Sequence, residues 1–248
     1  QELVPGSEYD DSEGWKFGAT IAVGSDGYPH ICYREKQVSF GFGVHYVRKT
    51  PSGWTDPLRV SNNIWRGYVV RMAVDNNNIA YIAHGSAQSG TIINGRLYYY
   101  RIIDQNIEYL TNTLVPYRAD DRFELDCTSD GEVHFILGSP DPDQAPVTYY
   151  RTGAEGRNLQ LIDDIHNQQC TSRNGCPDVY LDQSGHVHFS YGTLVDQGVG
   201  NTRSIRYVRY EADTLALESI VSDQGEIQPW KDGNQGWGLS SVASSNNG

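Results

Sequence analysis

The chain is poor in cations, in methionine and in long apolar runs. It carries 19 Lys and Arg against 31 Asp and Glu, a net charge of −12 over 248 residues. Phosphate-rich partners need clustered Lys and Arg, so this balance argues against nucleic acid and anionic membrane surfaces. No apolar stretch approaches the roughly 20 residues of a membrane-spanning helix, which argues against membrane insertion. No charged-then-apolar leader is present, and the opening "QELVPG" reads as a mature start left after a secretion signal is removed. There is one Met, and no segment has convincing helical periodicity. What is abundant is Tyr, at 17, and Gly, at 26, in short alternating segments, which points to an all-β protein.

Cysteine is scarce too, at four. Cys170 and Cys176 bracket the stretch "CTSRNGC". Two cysteines closing a short, Gly-containing loop read as a disulfide, and a disulfide places the chain in an oxidising, extracellular compartment. Metal binding is the alternative, but His166 nearby lacks a matching second pair of ligands. Cys32 and Cys127 sit inside apolar strands and read as small core residues.

Four segments share one grammar: "ATIAVGSDGYPHICY", "VRMAVDNNNIAYIAH", "FELDCTSDGEVHFIL" and "DVYLDQSGHVHFSY". Each is an apolar strand A, a tight turn and an alternating strand B. The turns hold Asp26-Gly27, Asn77-Asn78, Asp130-Gly131 and Ser184-Gly185, residues that tolerate the positive φ a tight hairpin demands. A third strand C then repeats Tyr46-Val47-Arg48 as Tyr99-Tyr100-Arg101, Tyr149-Tyr150-Arg151 and Tyr207-Val208-Arg209. A fourth strand D follows as "DPLRVS", "IEYLTNTLV", "LQLIDDI" and "LALESIVS". His30, His134 and His188 occupy one position of the repeat, and Tyr81 fills it in the second copy.

Four strands in a period of roughly 50 residues predict a β-propeller. The blades are expected at 14–61, 66–116, 122–166 and 176–222. Residues 1–11 read as the outer strand, and 236–248 ("GWGLSSVASSNNG") as the inner strand, of an incomplete fifth blade. Those two strands would lie three strand spacings apart, roughly 14 Å, too far to pair directly. The last strand is therefore expected to pair with another copy of the chain or with further sequence, because an unpaired edge is a template.

"SDGYPHICY" with "VHYVR", and "SGHVHFSY" with "IRYVR", resemble repeats of secreted bacterial sialidase-like propellers. They are also similar to propeller polysaccharide lyases such as ulvan lyases. Such a resemblance implies a glycan-related propeller. In the lyases it implies His and Tyr as acid and base, with Arg neutralising a uronate. The Asp-box of sialidases is not matched, since Ser25-Asp26-Gly27 is followed by His30 in the wrong spacing.

A side chain that returns in every blade serves the architecture, and this covers His30, His134, His188 and Arg48, Arg101, Arg151, Arg209. Those arginines, if buried between blades, need partners, which a His or a carbonyl could supply. Departures from the repeat are the candidate site. The D–A loops hold Trp65, Arg66, Asp120, Asp121, Trp230 and Trp237, a set of rings, amides and carboxylates suited to a sugar. His84 stands where Tyr33 and Tyr191 stand in other repeats; with Arg71 these are the residues a lyase would use. Asp141 and Asp143 offer oxygens to Ca²⁺ without completing a coordination loop, so no metal or other cofactor is assigned.

Three readings stay open. One is an extracellular, non-catalytic module that binds a glycan or a protein. Another is self-assembly, as a head-to-tail filament through the incomplete blade. The third is a polysaccharide lyase or other glycoside-active enzyme. The compartment is directly testable. Mapping of unreduced peptides should find Cys170 joined to Cys176, a closure worth a few kcal/mol at most. Two freely alkylated thiols in protein from its native source would remove the disulfide argument for secretion.

Overall fold

The computed structural model describes residues 4–5, 19–37, 41–64, 69–87, 95–115, 123–137, 147–164, 175–196, 201–224 and 238–239. Their secondary structure is β-strand and turn, with one three-residue 3-10 turn at Ala154–Gly156. Blade 1 consists of β1 (Thr20–Val23), β2 (Pro29–Gln37), β3 (Gly41–Thr50) and β5 (Leu58–Ile64), with β4 (Gly53–Trp54) folded onto the end of β3. Blade 2 consists of β6 (Val70–Val74), β7 (Ala80–Ala87), β8 (Gly95–Ile103) and β9 (Asn106–Val115). Blade 3 consists of β10 (Phe123–Cys127), β11 (Val133–Leu137), β12 (Thr148–Arg151) and β13 (Gln160–Asp164). After β14 (Gly175–Cys176), blade 4 consists of β15 (Asp178–Leu181), β16 (Val187–Asp196), β17 (Asn201–Glu211) and β18 (Thr214–Gln224). Each is an antiparallel meander in chain order, and together they are blades of the expected β-propeller.

The blades fall into two units. Blades 1 and 2, with the turns Ser129–Gly131 and Ala154–Arg157, make the first; the rest of blade 3 and blade 4 belong to the second. Strand B shows why a blade needs company on both sides. Residues 80–85, 133–137 and 187–191 are buried without alternation, so both faces of each strand are covered. In the first unit Cys32, Val44, Tyr46 and Val60 pack with Val70, Met72, Ile82 and Tyr100. In the second, Tyr149, Phe189 and Tyr210 meet at ring-centre distances of 4.9–5.8 Å, with Val179 and Val208 around them. Cys32 lies in its core as expected, whereas Cys127 is only half-buried.

The A–B turns share one geometry. Gly24, Asp75, Thr128 and Asp182 each donate their amide to the carbonyl four residues on, at 2.8–3.1 Å. The residue before that acceptor has positive φ: Gly27 at 78°, Asn78 at 61°, Gly131 at 85° and Gly185 at 79°. Gly adopts that region without strain and Asn tolerates it, which explains the turn chemistry seen in the sequence.

The repeated polar residues settle into two kinds of contact. His30 Nδ1 meets the Tyr46 hydroxyl at 2.6 Å, His134 Nδ1 meets Tyr149 at 2.7 Å, and His188 Nδ1 meets Tyr207 at 2.6 Å. In blade 2, where Tyr81 replaces the histidine, its hydroxyl donates to Asp75 at 3.2 Å. The arginines take carboxylates more than His or carbonyl groups. Arg48 pairs with Asp26, Arg101 with Glu108 and Glu155, Arg151 with Asp213, and Arg209 with Glu211. Only Arg101 is buried; the other three are partly open to solvent, which is why carboxylates can reach them cheaply.

Every C–D pairing carries a register shift. The shifts fall at Phe42/Val44 and Val44/His45, at Tyr99/Tyr100, at Tyr149/Tyr150, and at Ile205/Arg206 and Arg209/Tyr210. The outer strands leave Ile107, Tyr109, Leu161, Leu215 and Leu217 exposed.

The ending departs from expectation where it is described. β19 (Gly238–Leu239) pairs in parallel with β14, Gly175 against Gly238 and Cys176 against Leu239. These two residues pair within the chain. The rest of 236–248, and 1–3 and 6–11, lie outside the described residues.

The His–Tyr contact gives a stability prediction. Tyr149→Phe removes the hydroxyl but not the ring, and leaves His134 Nδ1 buried without its partner. It should cost about 1–3 kcal/mol in urea unfolding. Tyr28→Phe, on a partly exposed ring, should stay within about 0.5 kcal/mol. Equal effects would mean that the buried contact contributes nothing.

Candidate functional site

The site begins with a residue that breaks the repeat. Arg34 follows Tyr33 at the end of strand B, where the other three copies have Gly85, Gly138 and Gly192. Arg34 is buried, at 7% exposure. Its register partner is Val44, which puts it on the side of blade 1 that packs in the core with blade 2.

Blade 2 brings His84 to the same junction. His84 pairs with Val70 on one side and Tyr98 on the other, so the three share a face. Its ring stacks on Tyr98 at 5.1 Å and on Tyr100 at 5.6 Å, within 17° of parallel. Tyr100 in turn hydrogen-bonds Ser61 and leans on Tyr109. Nδ1 of His84 lies 3.3 Å from the Gly85 carbonyl, while Nε2 has no hydrogen-bond partner among the described residues. The imidazole is 2% exposed. Burial brings its pKa down to about 4, against an upward pull from the Gly85 carbonyl and with a smaller downward push from the Arg34 cation. His84 is therefore neutral near pH 7.

Tyr33 and His45 form the matching stack of blade 1, at 5.7 Å, with the elements exchanged: here strand B supplies the Tyr and strand C the His. The Tyr33 hydroxyl donates to the Pro5 carbonyl at 2.9 Å. Arg71 pairs with Ala83, one residue over from the Val70–His84 pair, so it belongs to the opposite face of blade 2 from His84. Its guanidinium donates to the Val70 carbonyl at 3.2 Å. Tyr191 is buried in the core of the second unit. The loop residues Trp65, Arg66, Asp120, Asp121, Trp230 and Trp237 lie outside the described residues, as do Asp141, Asp143 and Cys170. For Cys176 only its place in β14 is described.

A second polar cluster went unnoticed in the sequence. It sits on the A–B turn of blade 4. Asp182 Oδ1 accepts the amides of Ser184 and His186 at 2.8 and 2.9 Å. Asp182 Oδ2 then faces His186 Nδ1 and His188 Nε2, each at 3.0 Å. Burial works against the Asp182 charge, yet hydrogen bonds from His188, His186 and the turn amides hold its pKa down to about 2. The spacing Asp-x-x-x-His-x-His was legible. It was absorbed into the repeat, because His188 shares a slot with His30 and His134.

The His84 geometry predicts acid sensitivity. Its folded pKa lies below the ordinary value of about 6.5, so the unfolded chain takes up the proton first as pH falls. Its contribution is fully present above about pH 6.5 and is lost between there and about pH 4, on the order of 3 kcal/mol. His84→Phe keeps a ring in the stack and removes the titration. The variant should show a shallower fall of urea stability over that window. Parallel curves for the two proteins would refute the assignment.

No protein-family model matches the sequence, and no curated protein does. Solved structures match in fold. The alpha-L-arabinanase of Penicillium chrysogenum, solved with arabinobiose, aligns at a TM-score of 0.62 and 12% identity, over 91% of this chain and 71% of that one. The GH93 alpha-L-arabinofuranosidase of Fusarium graminearum, also with arabinobiose, aligns at 0.57 and 12%, over 87% and 68%. A protein of unknown function from Dyadobacter fermentans aligns at 0.51 and 10%, over 82% and 68%. At these identities the likeness is one of fold.

Proposed function

We propose that the chain is an extracellular β-propeller that recognises a glycan without cleaving it. The ligand docks on the D–A and B–C loops, beside the junction of Arg34 and His84. The observation that carries this reading is the junction itself. A cation replaces a repeated glycine and lies near enough to a His–Tyr–Tyr stack for its charge to act on His84, while the A–B ends of the blades reuse one structural grammar. His84 Nε2 is an acceptor that a sugar hydroxyl can satisfy. The two arabinan-related enzymes of similar fold were solved with a disaccharide bound, which supports a glycan as ligand class.

Binding is favoured over lyase chemistry for a physical reason. A general base works best with a pKa near the operating pH, and His84 is held at about 4. Arg71 stands on the other face of its blade, away from His84. At Gly238 and Leu239 the last strand pairs within the chain, so strand exchange between copies is not part of the proposal. Secretion rests on the Cys170–Cys176 reading. No helix of the described residues is long and apolar enough to cross a membrane.

A glycan array that includes neutral arabino-oligosaccharides tests the proposal. Trp65→Ala or Trp230→Ala should weaken binding by about 1–3 kcal/mol, the scale of a well-packed aromatic anchor. An array without hits, or hits indifferent to both substitutions, would overturn it. Ultraviolet-absorbing unsaturated products from uronate polysaccharides would establish the lyase reading in its place.

A further inference from the structure

We propose that Asp182, His186 and His188 form a binding site for a divalent transition-metal cation, of which Zn²⁺ is the representative. Their ligand atoms lie within 4.8 Å of one another. The two contacts to Asp182 Oδ2 are 3.0 Å. Ligands of a tetrahedral Zn²⁺, each about 2.0–2.2 Å from the metal, stand about 3.3–3.5 Å apart. Small side-chain adjustments therefore let one ion replace the hydrogen bonds that now join these groups.

The fold does not require this cluster. The three slots read Gly24, Tyr28, His30 in blade 1, Asp75, Ile79, Tyr81 in blade 2, and Thr128, Glu132, His134 in blade 3. All four turns nevertheless close with the same amide-to-carbonyl bond. Only blade 4 places a ligand-capable side chain of the right kind in all three slots with its donor atoms converging. Glu132 and His134 of blade 3 approach each other at 3.2 Å, but Thr128 provides no third strong ligand.

The chemistry of the donors selects the ion. Two imidazoles and one carboxylate suit Zn²⁺ or a similar borderline cation, whereas Ca²⁺ and Mg²⁺ want six or more oxygens. The site is also held from behind. Two turn amides fix the Asp182 carboxylate through Oδ1, leaving Oδ2 toward the histidines. Tyr207 fixes His188 through Nδ1 at 2.6 Å, the partner a metal-ligating imidazole needs on its other nitrogen. A bound ion needs His188 Nε2 and His186 Nδ1 without their protons. His188 then carries its proton on Nδ1, facing the Tyr207 oxygen, and His186 carries its proton on Nε2. Three protein ligands leave a coordination position open to water.

The full-length chain, stripped with chelator, is titrated with Zn²⁺ by calorimetry, and with Co²⁺ by visible absorption. One equivalent should bind, and Co²⁺ should show the strong bands of a four-coordinate site. His186→Ala, at a half-exposed position, and Asp182→Asn should each weaken binding at least about tenfold, and Tyr207→Phe should weaken it less. Circular dichroism confirms that each variant is folded. No binding by the folded chain would overturn the proposal. So would binding unchanged in both His186→Ala and Asp182→Asn, which would move the metal elsewhere, for instance to Cys170 and Cys176. Glycan recognition at the opposite end of the blades stands or falls separately.

Discussion

A histidine ring buried in a sheet must have a partner for its nitrogen, and three blades meet that demand with one tyrosine hydroxyl. The His–Tyr contact joins strand B to strand C diagonally, two residues out of direct register. It anchors the imidazole through Nδ1 and closes the core beneath the A–B turn. Once that contact is set, the alternation of strand C carries the next arginine but one to the same face, where solvent-side carboxylates can reach it. The turn above is then free to vary, provided its fourth residue accepts positive φ. Blade 2 shows that the demand is for a satisfied polar core and not for histidine as such. Tyr81 and Asp75 meet it with a different pair of atoms.

Most of this frame was legible in the sequence. Turn residues, strand alternation and the returning Tyr-x-Arg gave all four blades, and the strand limits differ by only a few residues. Strand D of blade 1 runs from Leu58 to Ile64, against an expected 56–61. The short β4 was not foreseen, because two residues, Gly53 and Trp54, carry no period. The partners of the arginines were misjudged for a related reason. Burial was inferred from the strand pattern, but an arginine near a strand end reaches out to solvent, and sequence spacing does not report that reach.

The candidate sites were less legible, and for opposite reasons. His84 was found because it departs from a repeated Tyr. Arg34 was passed over although its slot holds Gly in the other three copies, a sharper departure. It opens the stretch between the alternating parts of strands B and C, and sequence spacing does not show that it is buried. Asp182 and His186 were passed over because their neighbour His188 is architectural. A repeat hides a site when one of its members doubles as part of the frame.

The shifted register between strands C and D has a consequence for how these molecules behave when crowded. The D strands are sheet edges, and they expose Ile107, Tyr109, Leu161, Leu215 and Leu217. A long flat edge with such side chains would recruit strands from neighbouring copies and grow as a fibre. Each edge here is instead bent beside a bulge, which raises the local twist. An arriving strand could stay in step for only a few residues before its hydrogen bonds fell out of line. With a net charge of −12, the copies also repel as they approach. The irregularity thus limits how far a foreign strand could extend along these partly apolar edges.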